Sequence, residues 1–167
     1  LPPDIRVWIG SDGPDTERLK LRHAGDPRLE WLGRLSDLEK RRRLAAARIF
    51  CAPAIHGGSF GVVLLEAMAA GAALVASNLS GYSLVARADR DALLVDPRDV
   101  TALAAGLNRV LDDPELHGAL VASGRRRAEE FSMDHLAERY VDLYDRVTTP
   151  ARPSRGWRSP RSRRSAG

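Results

Sequence analysis

The sequence has a single cysteine, Cys51, so no disulfide can form within it. No group of cysteines and histidines has the spacing of a zinc site. Cys51 lies in an apolar run ended by Pro53, with no recognisable base beside it, so it reads as a small buried side chain rather than a nucleophile. No apolar run approaches the ~20 residues that a membrane-spanning helix needs. No secretory leader is recognisable either, and the cytoplasm is the expected compartment. Residues 151–167 hold six arginines and no acid, leaving 20 basic and 22 acidic residues in the remainder. The net charge of +4 therefore belongs to this tail, and a basic domain surface for specific nucleic-acid binding is not implied.

What is present suffices for one domain with a buried core: 167 residues, 44% of them apolar. Ile5, Val7 and Ile9 alternate with Arg6 and Trp8, which predicts a strand over 4–9. A turn at 10–14 leads into a helix over 15–23, with Pro14 suited to its first turn. A short strand follows at 29–32. Ser36 and Glu39 have the spacing of a capping box, which predicts a helix over 37–47. A strand at 48–52 ends at Pro53. The alternation continues with a helix over 60–70, a buried strand at 73–77, a short helix or turn at 82–86 and a strand at 92–95. Helices over 100–111, 114–131 and 134–147 complete it.

Such alternation predicts an α/β fold, a Rossmann-like parallel sheet with helices on both faces. Ligands of these sheets bind beyond the carboxyl ends of the strands. The loop Gly10-Ser11-Asp12-Gly13 and the glycines at 57–61 both follow predicted strands, so the two are expected to converge on one rim.

The second loop is the more informative. Gly57-Gly58-Ser59-Phe60-Gly61 opens directly into an apolar helix that carries one carboxylate, Glu66, and closes at Gly71. Residues without Cβ let a backbone approach a ligand closely. The helix behind them presents unpaired N–H groups and the positive end of its dipole to an anion. Glu66 falls about one and a half turns into that helix, within reach of a hydroxyl on the same ligand. A diphosphate cradle with a carboxylate for ribose describes a nucleotide-sugar site. A glycine turn of this kind also serves simply to let a helix pack on a sheet. His56 reads as an exposed loop residue. The run Lys40-Arg41-Arg42-Arg43 spreads around its predicted helix and reads as a solvated face, with a phosphate or acidic-lipid contact as the alternative.

The longer string shifts the balance toward the ligand reading. Cys51-Ala52-Pro53, the glycine loop, Leu65-Glu66-Ala67-Met68-Ala69-Ala70-Gly71 and Val75-Ala76-Ser77 together resemble the donor-binding core of retaining GT-B glycosyltransferases. The resemblance is to the bacterial mannosyltransferase branch, the actinobacterial phosphatidylinositol mannosyltransferases among them. It implies a C-terminal donor-nucleotide domain over 1–149, an incomplete half of a GT-B fold, followed by a disordered Arg/Ser/Pro-rich tail over 150–167. That tail could hold the chain to an anionic membrane.

Implied donor-binding residues are Glu66 for the ribose, and Gly57, Gly58, Ser59, Phe60 and Gly61 for the diphosphate. Gly10 and Gly13 are implied in the interdomain cleft and Leu32 by the base, with apolar core as the competing role for Leu32. The substrate would be a GDP- or UDP-sugar, with no cofactor and no metal. The implied reaction is transfer of a hexose, mannose from GDP-mannose in the resembled branch, with retention of configuration.

Two features depart from the family. The first of its two glutamates falls at Gly58, so a carboxylate near the transferred sugar is lost, and restoring one there is expected to raise transfer. An N-terminal acceptor domain, and a strand and helix with a basic pair for the diphosphate, would have to come in cis or in trans. The alternative is a non-catalytic nucleotide-binding or partner-docking module. A GT-B epimerase is a third, lacking acid and base groups around Gly58.

Overall fold

A computed structural model of the chain describes residues 2–58 and 60–148. The chain divides into two units after Ser132. The first holds β1 (Val7–Gly10), α1 (Thr16–Arg22), β2 (Leu29–Gly33), α2 (Asp37–Ala46), β3 (Ile49–Ala52) and α3 (Val62–Ala70). It continues with β4 (Ala73–Ser77), α4 (Ser80–Val85), β5 (Leu93–Val95), α5 (Val100–Asp112) and α6 (Pro114–Glu130). The second unit holds α7 (Met133–Thr148). Along α7, Leu136, Tyr140, Val141 and Tyr144 recur at helical spacing, an amphipathic stripe. The segment 149–167, on which the tail expectations fall, lies outside the described residues.

The alternation of strands and helices is the expected one, and every strand pairing is parallel. The strands form two hydrogen-bonded sheets, β1-β2 and β3-β4-β5, where a single sheet was expected. β4 explains how the larger sheet is covered. Its five residues are all buried, as a continuous apolar run requires of a central strand. Leu74 and Ala76 face one cluster with Leu64, Met68, Tyr82 and Val85 from α3 and α4. Ala73 and Val75 face the opposite cluster with Val110 and Leu120 from α5 and α6. A third cluster joins Leu44 of α2 to Ala67 of α3 and to Ala72.

Local chemistry sets the helix starts. The Glu39 N–H donates to Ser36 Oγ and the Ser36 N–H donates to Glu39 Oε2, the expected capping box of α2. Asp99 and Asp113 accept N–H bonds from Ala102 and Leu116 at the starts of α5 and α6.

One carboxylate is buried within this frame. Asp91, 1% exposed, accepts from Arg87 Nε at 2.6 Å, from Arg87 Nη2 at 2.9 Å and from Ser123 Oγ at 2.7 Å. The Arg87 backbone N–H also donates to it. It thereby ties the segment after α4 to the middle of α6. No helix among the described residues is long and apolar enough to cross a membrane.

Candidate functional site

The loop between β3 and α3 is shaped by two glycines. Gly58 and Gly61 have φ of +77° and +81°, the left-handed region that residues with a Cβ rarely enter. Space makes the same demand. A Cβ at 58 would lie 2.8 Å from Cε1 of Tyr82, and one at 61 would lie 3.0 Å from Cδ1 of the same ring.

Gly61 is also the N-cap of α3, which is why the helix starts at Val62 and not at Phe60 as expected. Gly57 has a positive φ as well, with open space where its Cβ would be. Phe60 packs edge-on against Phe131, ring centroids 5.7 Å apart, and the Arg127 guanidinium stacks on Phe131. Ser59 lies outside the described residues, as does its expected diphosphate contact.

The start of α3 differs from those of α2, α5 and α6. Its N-cap has no side chain to accept a first-turn N–H. The Leu64 N–H donates to the Gly61 carbonyl at 2.9 Å, and the N–H groups of Val62 and Val63 have no capping side chain. Glu66 lies further along the helix, half-exposed. Its Oε1 accepts from Lys40 Nζ at 2.8 Å, and Lys40 is also 3.5 Å from Asp37 Oδ1. The hydrogen bond to Glu66 is the main cause that holds the Lys40 pKa above its ordinary value, against the opposing effect of burial.

Sequence reasoning missed Lys40 as part of this site. It stands 26 residues from its partner, and the only local signal was its i+3 spacing from Asp37. The basic run is thus only partly a solvated face. Arg43 stacks over Trp8 and pairs with Glu30, while Arg41 and Arg42 are exposed.

The first glycine loop is built against the end of β2. The β1-β2 register shifts between Ile9 and Gly10. Ser11 takes a φ of +77°, unusual for a residue with a Cβ, and its N–H donates to the Gly33 carbonyl at 2.6 Å. The Gly13 N–H donates to Thr16 Oγ1. Leu32 is half-buried on β2 and outside the three core clusters.

Gly10 and Leu32 therefore lie on the β1-β2 sheet and Gly13 on the loop after β1, while the second glycine loop follows β3 of the other sheet. The expected convergence on one rim is not carried by a shared ladder. Lys40 of α2, the helix after β2, connects the two halves through Glu66. His56 is exposed, and burial pushes the Cys51 thiol up to about 11, which leaves it protonated and unreactive at neutral pH. Among the described residues no group of three His, Cys, Asp or Glu side chains could hold a metal ion.

A helix end open to an anion, a carboxylate in the same helix and a parallel α/β frame coincide with one family. The profile of glycosyl transferases group 1 matches residues 2–113. The chain belongs to that family. It is 36% identical over 149 residues to the phosphatidyl-myo-inositol mannosyltransferase of Mycolicibacterium smegmatis, covering 87% of this chain and 38% of that protein. It is 40% identical over 115 residues to the MMP alpha-(1->4)-mannosyltransferase of Mycolicibacterium hassiacum, covering 68% of this chain and 28% of that one. The chain thus spans well under half the length of these relatives.

Among solved structures, HepE of Anabaena in complex with UDP-glucose superposes with a TM-score of 0.75 at 19% identity, over 87% of this chain and 42% of that one. Sucrose-phosphate synthase of Thermosynechococcus elongatus gives 0.73 at 22% identity, over 90% and 47%. The fold is therefore that of part of a GT-B glycosyltransferase. In this glycosyl transferases group 1 chain the matched span includes both glycine loops, Leu32, Lys40 and Glu66.

Proposed function

We propose that the chain is the donor-nucleotide part of a hexosyltransferase and binds a GDP- or UDP-sugar between its two glycine loops. The observation that carries this reading is Glu66. It sits on the helix whose N-terminal end is open, and it is half-exposed, with one oxygen bonded to Lys40. The second oxygen is left to accept from the ribose hydroxyls, while the hydrogen bond from Lys40 holds the carboxylate in place.

In this reading the backbone of Gly57–Gly61 and the first turn of α3 bind the diphosphate. Gly10, Gly13 and Leu32 line the cleft and the base pocket. The relatives' names support mannose as the hexose and HepE supports a UDP-sugar, so the base stays open between guanine and uracil. The acceptor domain, supplied in cis or in trans, would complete the transferase, with retention at the anomeric carbon.

The second reading, a nucleotide-binding module without transfer, is favoured by Gly58. It leaves no carboxylate beside the transferred sugar.

Titration calorimetry tests the donor site. GDP or UDP is expected to bind, and Glu66→Ala to weaken the better of the two by about 1.5–3 kcal/mol for each ribose hydrogen bond lost. An unchanged affinity in a folded Glu66→Ala chain removes Glu66 from the site. Failure of the parent to bind either nucleotide removes the reading itself.

A further inference from the structure

The ring of Tyr82 lies against both left-handed glycines of the loop. Its edge stands 2.8 Å from the Cβ position of Gly58 and 3.0 Å from that of Gly61. Tyr82 is 8% exposed and belongs to the core cluster with Leu64, the α3 side chain that also borders Gly61. Ring carbons, Cε1 toward Gly58 and Cδ1 toward Gly61, make the close approach. Gly61 in turn caps α3, the helix whose open end faces the loop. One aromatic ring thus sets the height of the loop over the helix end.

We propose that Tyr82 is a positioning residue for the donor diphosphate: by packing under Gly58 and Gly61 it fixes the loop backbone and the α3 N-terminus in one arrangement. This rests on the donor-site reading above. Gly58 and Tyr82 form a matched pair, because the ring occupies the volume that any side chain at 58 would need. The glycine at the family's first carboxylate position is therefore built into the packing of this chain.

Two measurements on the full chain test the role. In the ligand-free protein, NMR relaxation of the Gly57, Gly58 and Gly61 amides should give order parameters near the ~0.85 of a rigid backbone. Tyr82→Ala should lower them below about 0.6 while the β4 amides keep their parental values, and Tyr82→Phe should leave the loop rigid. In calorimetry with GDP, Tyr82→Ala should weaken binding roughly tenfold, Tyr82→Phe should not, and guanosine should bind parent and variants alike.

Loop order unchanged in a folded Tyr82→Ala chain overturns the proposal. So does a loss of order spread equally through β4. Should Tyr82→Ala not fold, Tyr82→Leu takes its place with the same two readouts. If the parent binds neither GDP nor UDP, the donor-site reading fails, and the relaxation data still decide whether Tyr82 fixes the loop.

Discussion

Asp91→Ala is expected to lower the stability of the chain by about 3–5 kcal/mol. The carboxylate has almost no contact with water and accepts hydrogen bonds from Arg87 and Ser123. Removing it takes away the acceptor of the Ser123 hydroxyl and the short pairing of the guanidinium, which keeps Glu130 at 4.0 Å. Arg87 is 34% exposed, so water recovers part of its hydration and the loss should fall toward the lower end of that range. A replacement that keeps the shape without the charge, Asp91→Asn, should lose less.

The pair also predicts a pH dependence. Burial pushes the Asp91 carboxyl up, but the bonds from the Arg87 side chain, from Ser123 and from the Arg87 backbone outweigh it. The pKa therefore lies below the ordinary value of 3.8. A carboxyl depressed in the folded state contributes stability above its unfolded pKa and loses that contribution as pH falls through the folded one. Between pH 5 and pH 2 the melting temperature of the parent should therefore fall more steeply than that of Asp91→Asn. Parallel curves would mean that Asp91 does not titrate with folding.

Gly58→Glu is expected to destabilise the chain by about 2–5 kcal/mol and to restore no sugar transfer. Left-handed backbone strain accounts for about 1–2 kcal/mol of this. Forcing a Cβ into the Tyr82 ring accounts for a further 1–3 kcal/mol or so. The expectation from sequence, that a carboxylate returned to this position would raise activity, takes no account of the ring at 2.8 Å. Thermal melts of Gly58→Glu, alone and with Tyr82→Ala, separate the terms. The double variant should recover the packing part and keep the backbone part. A Gly58→Glu chain that melts with the parent, or transfers sugar once joined to an acceptor domain, would show that the loop accommodates a side chain.

The order and type of the elements were legible because periodicity and punctuation agreed. Ser36 and Glu39 cap α2 as their spacing predicted, and the apolar run at 73–77 became a strand buried on both faces. The start of α3 was misplaced by two residues because its boundary depends on Gly61 adopting a left-handed conformation, which composition does not reveal. Glu66 was legible as a candidate because a lone carboxylate in an apolar helix stands out. Its partner Lys40 was not, because the pair closes across two elements. The Gly58 departure was visible in sequence, but its packing was not. Tyr82 lies 24 positions further along the chain, and nothing local marks its ring as the neighbour of the loop.

The division of the strands into two sheets has a consequence for handling the protein. Among the described residues β1 and β3 each hydrogen-bond to a strand on one side only, which leaves backbone donors and acceptors along the other edge. Edges of this sort recruit any extended chain that comes to hand. In concentrated solution of the 167-residue chain the nearest such chain is another copy. Self-association should therefore rise with concentration, and a peptide able to lie along β1 or β3 as a parallel strand should suppress it.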